Sequence, residues 1–446
     1  MGRFLLALLA RGTIPRMGRL YGVAVGIAML LLVCGSSQRL KPEQRMEVFQ
    51  FVWEEVRNSH YDPKLGGVDW NALREAFIPR IRSATTDSEF YNLLNEMLSK
   101  LGQSHMGVIP PGVYVAGRGG RVDLTGRQVG LVVQLVEGRP VVVRVVQGSP
   151  AMRAGIPAGS ELLRIDDTDA QSVLDAVRTR PLSVREERMQ VQIAFAERLS
   201  GAPGSKVQVC YRDLEGQERT VELIRDAPRS EVAQFGSLPP IPTYIEARRL
   251  PGNIGYIAFN AFMPSLMKQI PEIIRSMRET RGLIIDLRGN IGGVGLMAGG
   301  VAGYLVDKET PLGTMYLRSG TYGIVAYPQQ GAYRGPVVVL VDEVSISTAE
   351  IFAGGLQEAK RATVVGRPTP GMALPSKVIE LPHGGLLQCV IANFETPSKR
   401  RIEEVGVQPD VPVELTRAMF RQSEDPILQK ALEILQERRS TTPRLK

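Results

Sequence analysis

Four apolar runs, at residues 254–259, 283–287, 337–341 and 363–365, recur in the second half of the chain with helical stretches between them. A strand that is apolar at every position must be covered on both faces, and strands joined by helices meet that demand in an α/β sheet. Such a domain uses less than half of 446 residues, and the whole chain is too long for a single core, so further domains are expected. The formal charge of +8 suggests nucleic acid until its placement is considered. Arg3, Arg11, Arg16 and Arg19 crowd one end and Arg438, Arg439, Arg444 and Lys446 the other, leaving a near-neutral body that argues against nucleic acid.

Arg16 and Arg19 precede an apolar run from Leu20 to Cys34, followed by Gly35, Ser36 and Ser37, which reads as an export leader. The run is short for a membrane span. Met17 competes with Met1 as the start, since Met17-Gly18-Arg19 and the run already form a complete signal. Val33 stands where a lipid-attachment signal at Cys34 wants a small residue, which disfavours a lipoprotein. Cys210 and Cys389 both fall in strand-like runs and read as buried free thiols, and no Cys/His spacing fits zinc.

From Pro42 the chain reads as helices, with Met46, Phe49, Trp53 and Val56 on one face. Thr86-Asp87-Ser88-Glu89 has the form of a capping box. It opens a helix carrying Phe90, Leu93, Leu94, Met97, Leu98 and Leu101 on one stripe before Gly102 ends it. Between Gln128 and Asp226 the character changes to Val-rich strands and tight turns. Val129-Gly130-Leu131, Gly148-Ser149-Pro150-Ala151 with Ala154-Gly155, and the strand 161–166 after Gly159-Ser160 resemble a PDZ domain. That resemblance implies a β-rich module whose Val129, Gly130 and Leu131 loop holds the carboxylate of an extended peptide tail at a sheet edge. The helical stretch 169–199 is longer than such a domain needs. Pro228, Pro239, Pro240 and Pro242 then give 229–245 the composition of a linker.

Three segments carry chemistry. Ser347 lies where a buried strand meets the helical pattern 349–359, a turn that exposes a hydroxyl beside the oriented N–H groups of a helix N-terminus. By itself Ser345, Ser347 or Thr348 as a plain helix cap is the commoner use. Asp286-Leu287-Arg288-Gly289-Asn290-Ile291-Gly292-Gly293 follows another buried strand and lets backbone approach a ligand closely, without the spacing of a nucleotide loop. The chain has three histidines: His383 in a hairpin turn, His60 at a helix end as an ordinary helix-end cation, and His105 after Ser104, for which the same helix-end role stands equally beside that of a base.

The order of these motifs is similar to that of the C-terminal processing (tail-specific) peptidase and tricorn-core family of serine peptidases. The resemblance rests on the stretches 281–293, 347–354, 363–369 and 406–410 and spans about residues 42 to 420. It implies a crotonase/ClpP-like α/β peptidase core. One branch of the family places a Lys base after the Thr-containing loop, where this chain has Thr369-Pro370-Gly371-Met372, and a thioether accepts no proton. Lys377 is near but at the opposite strand parity from Met372. The tricorn-like branch uses a His preceded by Ser, and a Glu near the chain's end. This implies Ser347 as nucleophile, His105 as base, and Ser104 fixed by Glu403, with Glu404 as rival, and Gly292 and Thr348 N–H groups as oxyanion donors. An imidazole pKa near ~6.5 suits base catalysis at neutrality, whereas a Lys near ~10.4 must first be desolvated.

The expected organisation is a leader over 1–37, an N-terminal helical segment over 42–115, a PDZ-like domain over 120–228, a linker over 229–245, an α/β core over 246–420, and a C-terminal helix with basic tail over 421–446. The leader implies export to the periplasm or cell envelope, with membrane attachment through the N-terminal segment as an alternative, and the resemblance implies a serine endopeptidase that acts on polypeptide C-terminal tails without metal or other cofactor. The rival is a catalytically inactive relative that captures peptides, which the missing Lys motivates. A crotonase-type enzyme acting on thioesters shares only the fold.

Overall fold

The computed structural model describes residues 39–111, 126–179, 182–227, 231–237 and 241–440. The expected leader and the end of the basic tail lie outside them. Each of the four apolar runs forms a strand: Ile254–Phe259, Gly282–Asp286, Val337–Val341 and Ala362–Gly366. They pair in parallel, and the short Val411–Pro412 joins the far edge while Ile245–Leu250 closes the near edge antiparallel, giving six strands. On one face Phe262, Leu266, Ile274, Val301 and Phe352 cover Ile257, Ile285, Val339 and Val364. On the other, Tyr256, Ile284, Val338 and Val365 meet Phe420, Ile427 and Leu435 of the C-terminal segments, together with Val132, Val141 and Val143 of the PDZ-like sheet. Burial on both faces explains why these strands are apolar throughout.

Three helices, Pro42–Ser59, Trp70–Ser83 and Asp87–Ser99, pack their apolar stripes together, with Phe49, Phe77, Phe90 and Leu94 at the centre. At the start of the third, Thr86 Oγ1 accepts the Glu89 N–H. The Glu89 carboxylate reaches the N–H of Thr85, one residue earlier than in the expected box. After that helix the strand Gly107–Ile109 pairs antiparallel with Leu386–Val390, which also pairs with Ser376–Glu380. Asn95 clamps it, donating to the Val108 C=O at 3.0 Å and accepting its N–H at 2.7 Å. The helical region is thus stitched to a hairpin of the α/β domain.

The PDZ-like region is a sheet ordered Leu131–Val136, Arg139–Val145, Glu161–Ile165, Lys206–Arg212, Glu218–Ile224. The long helical stretch resolves into Ala170–Arg178 and Val184–Leu199. The second packs on the edge strand, where Gln134 donates to Gln192 Oε1 at 2.9 Å and to Asp342 Oδ2 at 3.2 Å. Arg367 of the core, fully buried, donates to the Leu135 C=O at 3.3 Å and pairs with Glu343 at 2.8 Å. Inside the Pro-rich stretch expected as a linker, Glu231–Ala233 pairs with Ile241–Thr243. There Ala233 packs with Ala261 and Met263 beside Ile291 and Val294 of the Gly-rich turn. No helix among the described residues is long and apolar enough to cross a membrane.

Candidate active site

Ser347 ends the turn after Val337–Val341 and precedes the helix Thr348–Glu358, at φ 60° and ψ −117°. A non-glycine residue held there costs roughly 1–3 kcal/mol and persists only where its surroundings over-determine it. They do so here. Asp342 Oδ1 accepts the N–H groups of Gly289 and Val344, Ser345 Oγ donates to the Leu287 C=O at 2.7 Å, and the Ile346 N–H goes to the Asn290 C=O at 2.9 Å. Thr348 Oγ1 donates to the Gly293 C=O at 3.0 Å. The hydroxyls of Ser345 and Thr348 therefore pin the turn, and the Glu350 N–H goes to the Ser347 C=O at 2.9 Å.

The helix start is instead served by Glu350, fully buried, whose carboxylate accepts the N–H groups of Ser347, Gly371 and Met372 and the Thr369 hydroxyl. Burial raises its pKa to about 7 against the pull of those donors. Sequence reasoning gave Glu350 no role, although a Glu three residues after Ser347 is a readable capping signal.

The Gly-rich turn lies against the nucleophile turn. A Cβ on Gly292 would meet the Ile346 oxygen and Ser347 Cβ at 2.7 Å, and one on Gly293 would strike the Phe262 oxygen at 2.4 Å. Gly292 was expected to donate to an oxyanion, but its N–H goes to Asn290 Oδ1 at 2.9 Å. Asn290, wholly buried, is held in turn by the Phe259 C=O at 2.7 Å. Among the described residues the N–H groups of Thr348 and Gly293 take no hydrogen-bond acceptor. In this turn the Gly292 amide is engaged by Asn290 and the Gly293 amide is not hydrogen-bonded.

A second hydrogen-bonded cluster comes from the N-terminal region, and among the described residues no hydrogen bond joins its His105 to Ser347. Ser104 Oγ lies 2.8 Å from His105 Nδ1 and donates to Glu403 Oε2 at 3.0 Å, while the Ser104 N–H donates to Glu403 Oε1 at 2.9 Å. The Ala373 N–H also reaches Glu403 Oε2, at 2.9 Å. Consecutive amides, Met372 and Ala373, therefore tie the carboxylate under Ser347 and the carboxylate under Ser104 to one backbone segment. Glu403 is buried and its pKa is raised by that burial, while Glu404 is exposed at φ 65°. Of the two, it is Glu403 that bonds to Ser104.

These bonds set the direction of the protons. An ionised carboxylate only accepts, so the single Ser104 hydrogen points at Glu403 and the hydroxyl oxygen must accept from His105 Nδ1–H. The imidazole then carries its lone pair on Nε2, the tautomer a base needs. Desolvation lowers the His105 pKa to about 4, which keeps the ring neutral. Lys377 is no competitor, because its Nζ pairs with Glu55 at 2.6 Å.

The remaining histidines divide. His383 sits in the hairpin turn and pairs with Glu47 at 2.7 Å. His60 is wholly buried and bonded to Gln103. Cys389 is buried and its thiol is pushed up to about 12 by burial. In the PDZ-like loop Val129 and Leu131 are buried, and the Gly130 N–H goes to the Gly126 C=O, so that amide is satisfied within the loop. No cluster of metal-binding side chains is present among the described residues.

Residues 253–413 match the model of peptidase family S41, and 41–99 match that of the Tricorn protease C1 domain. The chain is 29% identical over 427 residues to a carboxyl-terminal-processing protease of Picosynechococcus, covering 93% of this chain and 95% of that one. It is 30% identical over 381 residues to the chloroplastic carboxyl-terminal-processing peptidase 3 of Arabidopsis thaliana, covering 81% of this chain and 67% of that one. Among solved structures, the photosystem II D1 C-terminal processing protease superposes with a TM-score of 0.52 at 23% identity, over 83% of this chain and 93% of that one. Mature CPAF superposes with a TM-score of 0.58 at 17% identity, over 88% and 97%. At such identities the superpositions speak to the fold alone.

Proposed function

The chain belongs to the carboxyl-terminal-processing peptidases of family S41, and from that membership we propose how its own residues perform the cleavage. It is a serine-type endopeptidase with a PDZ-like tail-binding domain. Ser347 attacks the scissile carbonyl while His105 Nε2 takes its proton. The Nδ1–H stays on the Ser104 oxygen, and the Ser104 hydroxyl on Glu403 offsets the positive charge the ring acquires. Thr348 and Gly293 N–H groups stabilise the tetrahedral oxyanion. The imidazolium then protonates the leaving amine, and a water deprotonated by the same ring releases the acyl group from Ser347.

The observation that carries this reading is the hydrogen-bonded run His105 Nδ1, Ser104 Oγ, Glu403 Oε2, joined through Ala373 and Met372 to the Glu350 carboxylate beneath Ser347. We assign residues 42–115, 120–228 and 246–420 to the base-bearing helical segment, the PDZ-like domain and a crotonase/ClpP-like core. Substrates are polypeptide C-terminal tails, as the family membership supports, and the leader-like run 16–37 points to tails of envelope or secreted proteins. Fluorophosphonate labelling of the full chain tests the chemistry. Wild type should label, whereas Ser347→Ala should not and His105→Ala should label at least a hundredfold more slowly. A folded wild type that never labels would leave peptide capture as the function.

A further inference from the structure

The turn 102–105 that delivers the base is held from outside the catalytic set. His60 is wholly buried at the end of the first helix, with Nε2 2.7 Å from Gln103 Oε1 and Nδ1 3.1 Å from the Asp62 nitrogen. Gln103 Oε1 only accepts, so Nε2 carries a hydrogen aimed at it, while Nδ1 lies between the Asp62 carbonyl oxygen at 3.0 Å and the Asp62 nitrogen at 3.1 Å. The loop supplying those two groups is itself fastened, since the Asp62 carboxylate accepts the N–H groups of Lys64 and Gly66 at 2.9 and 2.8 Å. The His60 ring stacks on Tyr61 at 4.7 Å. Gly102 at φ 62° and His105 at φ 58° flank this anchor. Two left-handed residues in a four-residue turn leave the backbone several alternatives unless a side chain excludes them.

We propose that His60 and Gln103 are positioning residues: the His60 Nε2–H to Gln103 Oε1 bond fixes the 102–105 turn so that Ser104 meets Glu403 and His105 faces Ser347. The assignment rests on the His105-based chemistry proposed above. Its signature is a loss in the chemical step with substrate binding unchanged, because neither residue belongs to the peptide-binding module.

The test uses His60→Asn, whose amide can accept from Asp62 but stops short of Gln103, His60→Gln, whose amide can reach the Nε2 position, and Gln103→Leu. For each, kcat and KM on a tail peptide, the fluorophosphonate labelling rate and Tm are measured. His60→Asn and Gln103→Leu should each lower kcat and labelling about tenfold, the worth of one ordinary hydrogen bond, with KM within about twofold. The double variant should lose no more than the worse single one, and His60→Gln should recover to within about threefold of wild type. Unchanged labelling in folded Gln103→Leu, a change in KM alone, or fully additive losses would overturn the assignment. His105→Ala is run alongside. If it is inactive while Gln103→Leu is normal, only the positioning role falls; if it labels normally, the base assignment falls with it.

Discussion

Replacing Glu403 with Gln tests the proton directions at the centre of the site with a single atom changed. The carboxylate accepts three bonds: the Ser104 N–H on Oε1, and the Ser104 hydroxyl and Ala373 N–H on Oε2. A Gln offers one oxygen. Placed at the Oε2 position it keeps two of the bonds but turns its NH2 against the Ser104 N–H. The loss of one charge-assisted bond, about 1.5–3 kcal/mol, corresponds to roughly 10- to 150-fold in rate. Placed at the Oε1 position it sets the NH2 against the Ala373 N–H and donates to Ser104 Oγ. That hydroxyl must then donate to His105 Nδ1, which moves the ring proton to Nε2 and leaves no base. A serine triad whose carboxylate becomes an amide loses about 10⁴-fold in this way. Glu403→Gln should therefore lower kcat by between about 10-fold and 10⁴-fold with KM within about threefold. Ser104→Ala, which removes the bridge without inverting it, should lose about 10- to 100-fold. Steady-state kinetics on a tail peptide, with Tm recorded for each variant, provide the measurement. A folded Glu403→Gln enzyme within threefold of wild type would refute the relay.

Four further outcomes follow from the same geometry. His105, held to about 4 by burial, remains neutral above that value, so kcat/KM should persist at pH 5–6 and fall as pH drops through about 4; an acid limb at 6.5 or above would contradict it. Because the unfolded imidazole titrates near ~6.5, the same group makes folding increasingly costly as pH falls from there toward the folded value. Gly292→Ala should abolish activity in a folded protein, since φ is 80° and the new methyl would lie 2.7 Å from Ser347 Cβ and 2.9 Å from the Thr348 nitrogen; activity above a tenth of wild type would show the turn to be more yielding. Glu343→Ala should cost about 3–5 kcal/mol in urea unfolding by leaving the Arg367 guanidinium buried without its counter-charge, and a loss below 1 kcal/mol would mean that water reaches it. Lys377→Ala should leave kcat within twofold, because its ammonium is spent on Glu55; a hundredfold loss would reinstate a lysine base.

The parts legible in the sequence are those where one local pattern has one structural solution. A strand apolar at every position requires cover on both faces, and 254–259 and 337–341 are strands with the bounds that pattern implies. The sheet Gly320–Ala326, Thr310–Leu317, Ala392–Glu395 was not anticipated, and its middle strand alternates poorly, running from buried to half-buried along its length. The three-residue pairing within 229–245 was hidden for a related reason: prolines report a stiff backbone, while two short strands leave no period to read. At the site, residue type was readable and donor direction was not. Ser104 and Glu403 are 299 positions apart, yet their chemistry is limited by kind, because a hydroxyl has one hydrogen and a carboxylate has none. Gly292 shows the opposite case. Its N–H was available on any reading of the motif, and only the rotamer of a buried Asn290, set by the Phe259 carbonyl, commits it elsewhere. His60 likewise reads as an ordinary helix-end residue, and only the fold brings Gln103 to its ring. The same rule separates the two groups: where a side chain's bonding capacity permits only one arrangement, the arrangement is predictable from composition, and where it permits several, the long-range contact decides.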